Sequence, residues 1–474
     1  MTLARTAPDE ETAAGGQGSA SVAPIRREIA GVALPVAFGA VVWVGGQSVV
    51  AALLGHLGGD ALYVRGLLIP AGLLFIALQE ALEVVTQVGA ARCLGRDDPA
   101  ALRGLFARLN AVGLACCGVV AVAVSLAAPA VASLLHVPSG AAGDFVAVLR
   151  WNALVTVLGV PVNVTTALLR GGGRPRGAAA LTFSVVCVQI AGVWLFGLRG
   201  GLGAFSLPWA TGASMLLGVA LGGGLLWRSR LLGAERRTAA PGAQTGPPVD
   251  VRALVLGIGL PIAATFVMLS ANNLVVEWIL TPFGARTVAG YGAAVTVQSV
   301  AVVPALALGT ATAVTANRRW SAGDPSALRA AHRVGLRIAI GVYVAVAVLG
   351  LLAAGPLARA MASDPAAGAE VAAFLHIIGP SYVGLGPLLF QLTFLEQIGA
   401  GRLAATVNLC SFSVTLAVGG VAARALDAPH ALYVVWAVAN LLGVAWVTTL
   451  TLRRVDRMDR TDRVGRTGRA GGAR

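Results

Sequence analysis

Charge is what this chain has least of. Of its 474 residues only 12% are charged and 57% are hydrophobic, whereas soluble domains are about 25% charged. That shortage excludes an ordinary water-soluble domain and points to lipid as the solvent. Lysine is missing altogether: all 35 basic residues are arginine, and the net charge is +14. The bias matches the codon usage of a GC-rich genome of the actinobacterial kind. It does not describe a nucleic-acid partner, because the arginines fall in loops and a tail rather than on a folded basic face. Cysteine is scarce too. Cys93, Cys116, Cys117, Cys187 and Cys410 have no metal-ligand spacing, so they read as packing residues and no metal site follows from them.

Other absences narrow the function. Residues 1–25 are polar and carry Asp9, Glu10 and Glu11, with no positive segment ahead of an apolar core, so no signal peptide is indicated. Gly171-Gly172-Gly173 has no strand before it and no GK[ST] after it, so it is a helix end rather than a phosphate loop, and a nucleotide-driven pump is disfavoured. No expected helix core holds paired aspartates or a histidine-rich zinc set, which argues against an intramembrane enzyme. No cofactor is implied.

Long apolar runs are what the chain does have. Residues 111–135, 177–198 and 201–227 contain no charge at all, and about 20 apolar residues suffice to span a bilayer. The expected fold is all-α and membrane-embedded, with about twelve helices centred near residues 43, 78, 121, 156, 188, 214, 267, 302, 342, 382, 413 and 441. Arginines cluster at 26–27, 92–108, 170–176, 228–252, 318–337, at Arg402 and in the C-terminal tail. These are the termini and every even-numbered connection, so the positive-inside rule puts both termini in the cytoplasm.

The segment from 228 to 250 is rich in Pro, Gly and Ala and reads as a flexible linker. Its central place prompts a search for a repeat. Leu34-Pro35 recurs as Leu260-Pro261, and 261 − 35 = 226. The same offset relates Arg92 to Arg318, Asp98-Pro99 to Asp324-Pro325, Ala101-Leu102-Arg103 to Ala327-Leu328-Arg329, Pro161 to Pro387 and Arg176 to Arg402. The expected organisation is a cytoplasmic tail (1–27), a six-helix bundle (28–228), a linker (229–250), a second six-helix bundle (251–453) and a basic tail (454–474), both tails disordered. Six is even, so the two bundles run in parallel, related by a pseudo-two-fold axis along the membrane normal with a cleft between them.

LPVAFGAVVWVGGQSVVAALLG at 34–55, QVGAARCLGRDDPAALRG at 87–104 and PVNVTTALLRGGGRPR at 161–176 resemble the first half of a MATE (multidrug and toxic compound extrusion) exporter. LPIAATFVMLSANNLVVEWIL at 260–280 and PLLFQLTFLEQIGAGR at 387–402 resemble the second. The MATE family sits in the MOP superfamily, which also holds flippases for lipid-linked saccharides. The resemblance implies a secondary antiporter that exports small organic, cationic and amphipathic compounds by alternating access, driven by H⁺ or Na⁺. Its partners would be that substrate and the bilayer of a bacterial plasma membrane, with a monomer as the favoured state. Two positions depart from the family pattern. Many bacterial members have an aspartate fifteen residues after the proline matching Pro35, and many have an acid eight residues after the one matching Pro261; here these are Val50 and Leu269.

Ionisable side chains inside a bilayer cost at least a few kcal/mol and tend to have a partner or a task. Glu80 and Glu83 lie three apart in the second helix, on one face. Two carboxylates that close repel when both are ionised, and a shared proton or a Na⁺ ion would relieve them; Arg92 is the alternative counter-ion. Glu277 lies in the outer half of the seventh helix, on the face of Asn273 and near Asn272. The offset matches Asn273 to Gln47. Gln47, Asn272, Asn273, Asn163, Gln298 and Gln391 are candidates to line the cleft, although amides also bond helix to helix. The competing function is the saccharide flippase, but such proteins meet diphosphate with several cations, and the charges that stand out here are glutamates.

Overall fold

The structure, a computed structural model, describes residues 14–56, 68–134, 139–232, 250–322, 324, 326–361 and 365–471. All regular secondary structure among them is helical. Eleven stretches are long and apolar enough to cross a membrane. One, Pro365–Ala425, is 61 residues long, about 90 Å if straight and about three times the hydrocarbon thickness. It is in fact two helices. Gly399 has φ 93°, and Ala400 leaves helical geometry at φ −103°, ψ 29°; only glycine takes the first conformation freely. The offset of 226 carries Gly399 onto Gly173, whose φ is 73°, so both halves end their fourth helix on a left-handed glycine.

The described residues therefore form twelve spanning helices. The first six are α1 (Ala14–His56), α2 (Ile69–Gly95), α3 (Pro99–Leu134), α4 (Ser139–Val157, continued by Gly159–Gly171), α5 (Pro175–Val193 and a π turn at Trp194–Arg199) and α6 (Ser206–Ser229). The next three are α7 (Val251–Leu254, a π turn at Val255–Gly259, then Leu260–Leu280), α8 (Ala285–Ser321) and α9 (Ala327–Met361). The last three are α10 (Pro365–Ile378, a 3-10 turn at Gly379–Ser381, Tyr382–Leu395 and a π turn at Glu396–Ala400), α11 (Gly401–Ala425) and α12 (His430–Gly471). Helix extends into both stretches expected as disordered tails, from Ala14 and as far as Gly471. At the second, Asp456 pairs with Arg329 and fixes the start of the extension to α9. Most of the expected linker, 233–249, lies outside the described residues.

Large apolar side chains point outward, as lipid allows and water does not: Leu126, Leu352 and Leu442 are 76%, 75% and 69% exposed. Two helices change sides along their length. The C-terminal part of α1 packs in its own half, Val50 and Leu54 against Val193 and Ala210. Its arginine-rich part, Ile25, Ile29, Val32 and Val36, packs against Ala307, Leu308 and Phe390 of the other half. α7 mirrors this. Leu254, Ile258 and Ile262 sit with Val85, Val88 and Leu168, while Val276, Ile279 and Leu280 sit with Tyr291, Phe374 and Tyr433.

Lipid is as apolar as leucine, so this contact gains little from hydrophobicity and depends on close approach. Gly95 at the end of α2 shows how close: a Cβ there would overlap the Arg318 carbonyl of α8. Gly95→Val should force the two helix ends apart and cost about 1–3 kcal/mol, the usual overpacking range. The check is the melting temperature of the purified protein. An unchanged value would mean that α2 and α8 do not meet there.

Candidate functional site

The floor of the cleft is where the two halves are bonded. Gln87 of α2 donates to Gln397 Oε1 at 2.9 Å, and Gln397 Nε2 donates to Thr310 Oγ1 of α8 at 2.9 Å. Arg92 Nε donates to Asn317 Oδ1 at 3.1 Å, and its Nη2 reaches the Ile398 carbonyl at 3.5 Å. The Arg92 guanidinium also lies 6.0 Å from the Trp320 ring centre. Nearer the surface, Arg319 donates to Glu28 of α1 through Nη2 and Nε, at 2.9 and 3.1 Å. All of these belong to the arginine-rich end. At the opposite end, polar side chains bond within their own half, as Gln47 does to Gln189, Arg150 to the Ser125 carbonyl and Asn440 to Ser381.

Above the floor, a polar seam joins α2 to α4. Gln79 Nε2 donates to the Thr156 carbonyl at 3.3 Å, and Asn163 Nδ2 donates to Gln79 Oε1 at 3.0 Å. One turn along, Glu83 forms an ion pair with Arg170, the two side chains only 21% and 14% exposed. Arg170 counts, by sequence position, with the loop arginines. Helix side chains lean toward the N-terminus, so from the last turn of α4 it reaches back into the bundle. Gly39 of α1 leaves it room: a Cβ there would lie 3.9 Å from the guanidinium. Arg92, the counter-ion the sequence suggested for Glu80 and Glu83, is taken up by the floor instead. Glu80 is within electrostatic reach of both Glu83 and Arg170. It lies seven residues before Gln87, about two turns along the same face from the bonded floor.

A third carboxyl belongs here, and reading the sequence helix by helix missed it. Glu396 is half-buried at the end of α10, next to the floor residue Gln397. Thr265 Oγ1 of α7 lies 3.5 Å from its Oε1. The offset would have found it: 396 − 226 = 170, so Glu396 occupies in the second half the slot that Arg170 occupies in the first. Their α1 and α7 neighbours correspond as well, Gly39 to Thr265. The scaffold is repeated and the charge in it is inverted.

The other candidates scatter. Gln47 is turned to α5, in a chain that runs on from Gln189 to Thr211 at 3.2 Å. Gln391 is fully buried and packs α10 on α12 through the Pro387 carbonyl and Thr448. Each has a hydrogen-bond partner on a neighbouring helix of its own half. Gln298 is buried in α8, and its Oε1 has no hydrogen-bond partner among the described residues. Asn272 is buried in α7, Asn273 half-buried and Glu277 exposed, with Tyr291 of α8 within electrostatic reach of Glu277. Val50, where the family pattern has an acid, is fully buried among apolar side chains. A wholly apolar groove of about 390 Å³ opens elsewhere, between α4 and α6, lined by Trp151, Val155, Phe196 and Trp209.

Comparison with known proteins agrees with this architecture. The MatE family model matches residues 261–421. A multidrug resistance protein NorM from Burkholderia vietnamiensis is 26% identical over 370 residues, 74% of this chain and 75% of that protein. Among solved structures, the Vibrio cholerae MATE transporter VcmN in its bent form superposes with a TM-score of 0.84 at 18% identity, covering 93% of this chain and 99% of that one. A MOP superfamily transporter from Pyrococcus furiosus, described as having a binding pocket of reverse polarity, superposes with a TM-score of 0.82 at 18% identity, covering 92% and 96%. The resemblance seen in the sequence motifs thus holds in the family model, in a relative and in the fold.

The Glu83–Arg170 pair makes a prediction about stability. Removing one partner of a buried pair leaves a bare charge, at a cost of about 3–5 kcal/mol, whereas removing both is far milder. Arg170→Ala should destabilise the protein strongly, and Arg170→Ala with Glu83→Gln should recover most of the loss. A double-mutant cycle on thermal melting measures it. Additive effects would show that the two side chains are not coupled.

Proposed function

We propose that this chain, which carries a MatE domain and has the fold of the MATE transporters, is a secondary antiporter of the bacterial plasma membrane. It exports small organic, cationic and amphipathic compounds in exchange for H⁺ or Na⁺. The observation that carries this reading is a cleft bonded shut at one end, with Glu80, Glu83 and Glu396 at its floor. By the positive-inside rule the bonded end, with both termini, is cytoplasmic. The cleft then faces outward. Turning it inward means breaking the Gln87–Gln397, Arg92–Asn317 and Arg319–Glu28 contacts while opposite-end contacts form.

Exchange follows from competition for charge. A substrate cation and a coupling ion cannot both neutralise one carboxylate, so binding either favours release of the other, and the coupling is reciprocal. Arg170 balances Glu83, which leaves Glu80 in one half and Glu396 in the other as the groups to exchange. A flippase would need free cations for a diphosphate. The buried arginines here are engaged, Arg170 with Glu83 and Arg92 with Asn317 and Trp320, which supports the cationic substrate.

The test is transport of a fluorescent organic cation into or out of proteoliposomes under an imposed proton or Na⁺ gradient. Glu80→Gln and Glu396→Gln should each slow it by about tenfold or more, a loss of at least about 1.4 kcal/mol. If these two, Glu83→Gln and Glu277→Gln all transport like the parent, the proposed coupling is wrong.

A further inference from the structure

One contact locates the pseudo-two-fold axis. Gly95 ends α2, and a Cβ placed on it would come within 2.7 Å of the Ser321 side chain at the end of α8. These residues are mates under the repeat, since 321 − 95 = 226, and mates that touch lie beside the axis. Three residues earlier on each helix stands an arginine, Arg92 on α2 and Arg318 on α8, again mates. From the axis their side chains part, each toward the other half. A Cβ on Gly399 of the second half would lie 3.6 Å from Arg92 Nη2, and one on Gly173 of the first half would lie 2.8 Å from Arg318 Nη1. Gly173 and Gly399 are the left-handed glycines that end α4 and α10, at φ 73° and 93°.

We infer that Arg92 and Arg318 are reciprocal positioning residues, each clasping across the axis the C-terminal end of the other half's fourth helix. A helix C-terminus carries partial negative charge, and a cation there is stabilising. The clasp matters for the site because of what those ends carry. Three residues before Gly173 is Arg170, which holds Glu83, and three before Gly399 is Glu396. Arg318 of the second half thus steadies the charged slot of the first, and Arg92 of the first steadies that of the second. Neither slot is set by its own half alone, so parting the halves frees both at once. That consequence for transport rests on the alternating-access reading above. The two arms are unequal. Arg92 is half-buried, donates to Asn317 and reaches the Ile398 carbonyl beside Gln397. The mates of Asn317 and Gln397 are Ala91 and Gly171, so exposed Arg318 lacks the matching amides. The clasp on α4 is the weaker one and lets go first.

The test is a distance across the axis, measured in lipid nanodiscs. Spin labels go on Ala100→Cys and Ser326→Cys, exposed mates beside the starts of α3 and α9, in the full chain with its five cysteines replaced by alanine. Pulsed electron spin resonance then reports the separation of the halves at the arginine-rich end. Arg318→Gln should raise the longer-distance fraction about two- to fivefold, the worth of one cation at a helix end. Arg92→Gln should raise it further, because it also gives up the Asn317 bond. Arg318→Lys keeps the charge and should stay near the parent. A distribution that Arg318→Gln leaves unchanged overturns the clasp, as does one that Arg318→Lys widens equally. Because Arg318 is exposed, its variants decide the matter even should Arg92→Gln fail to fold. The distance needs no transport: if the parent carries no organic cation while Arg318→Gln parts the halves, the exporter reading falls and the clasp stands.

Discussion

Lipid gives two apolar bundles no hydrophobic reason to stay together, so contact between them must come from close backbone approach and from hydrogen bonds. In this chain both are concentrated at the arginine-rich end. The first halves of α1 and α7 pack on the opposite bundle, Gly95 lets α2 lie against α8, and Gln87, Arg92, Asn317 and Gln397 close a network across the seam. Everything else about the molecule depends on that seam. It defines where the cleft ends, and so where a charged side chain can sit inside the bilayer while still facing water.

The acids are found just at that boundary. Glu80 lies about two turns above Gln87, and Glu396 adjoins Gln397, so each half brings one carboxyl to the margin of the bonded floor. Arg170 and Glu396 fill equivalent slots with opposite charge. In the first half the slot is occupied by a cation that balances Glu83; in the second it holds an anion beside a neutral hydroxyl. A two-fold scaffold with an inverted charge presents two chemically different walls. The second half departs in its backbone as well: α7 carries a π turn at Val255–Gly259, where α1 is regular. π turns are uncommon and recur at functional sites.

How much of this was visible in the residues depends on the range of the interaction. Helix number and the repeat were legible because each rests on local pattern: an apolar run of bilayer length, or a proline and a DPxALR loop at a constant spacing. The left-handed glycines were legible only in part, since Gly173 and Gly399 correspond but neither φ follows from composition. Side-chain partners were not legible. Arg170 looks like a loop residue, and only the backward lean of helical side chains brings it to Glu83. Gln47 and Gln391 looked like cleft amides, and only neighbouring helices decide that they face Gln189 and Thr448. Glu396 was within reach all along: the offset was known, and applying it to Arg170 identifies the acid.

Val50 and Leu269 acquire a physical meaning against this background. At Val50, where the family pattern has an acid, apolar contacts to Leu54, Val193 and Ala210 fill the space. A carboxylate introduced there would be buried among apolar side chains without a counter-charge. The charges that remain lie nearer the seam. Under the proposed alternating access, a charge bound at the seam would interact with the groups that part when the cleft changes sides, whereas a charge bound far up one half would interact mainly with that half. Under the proposed exchange, acids at the floor would tie their occupancy more directly to the contacts that hold the halves closed.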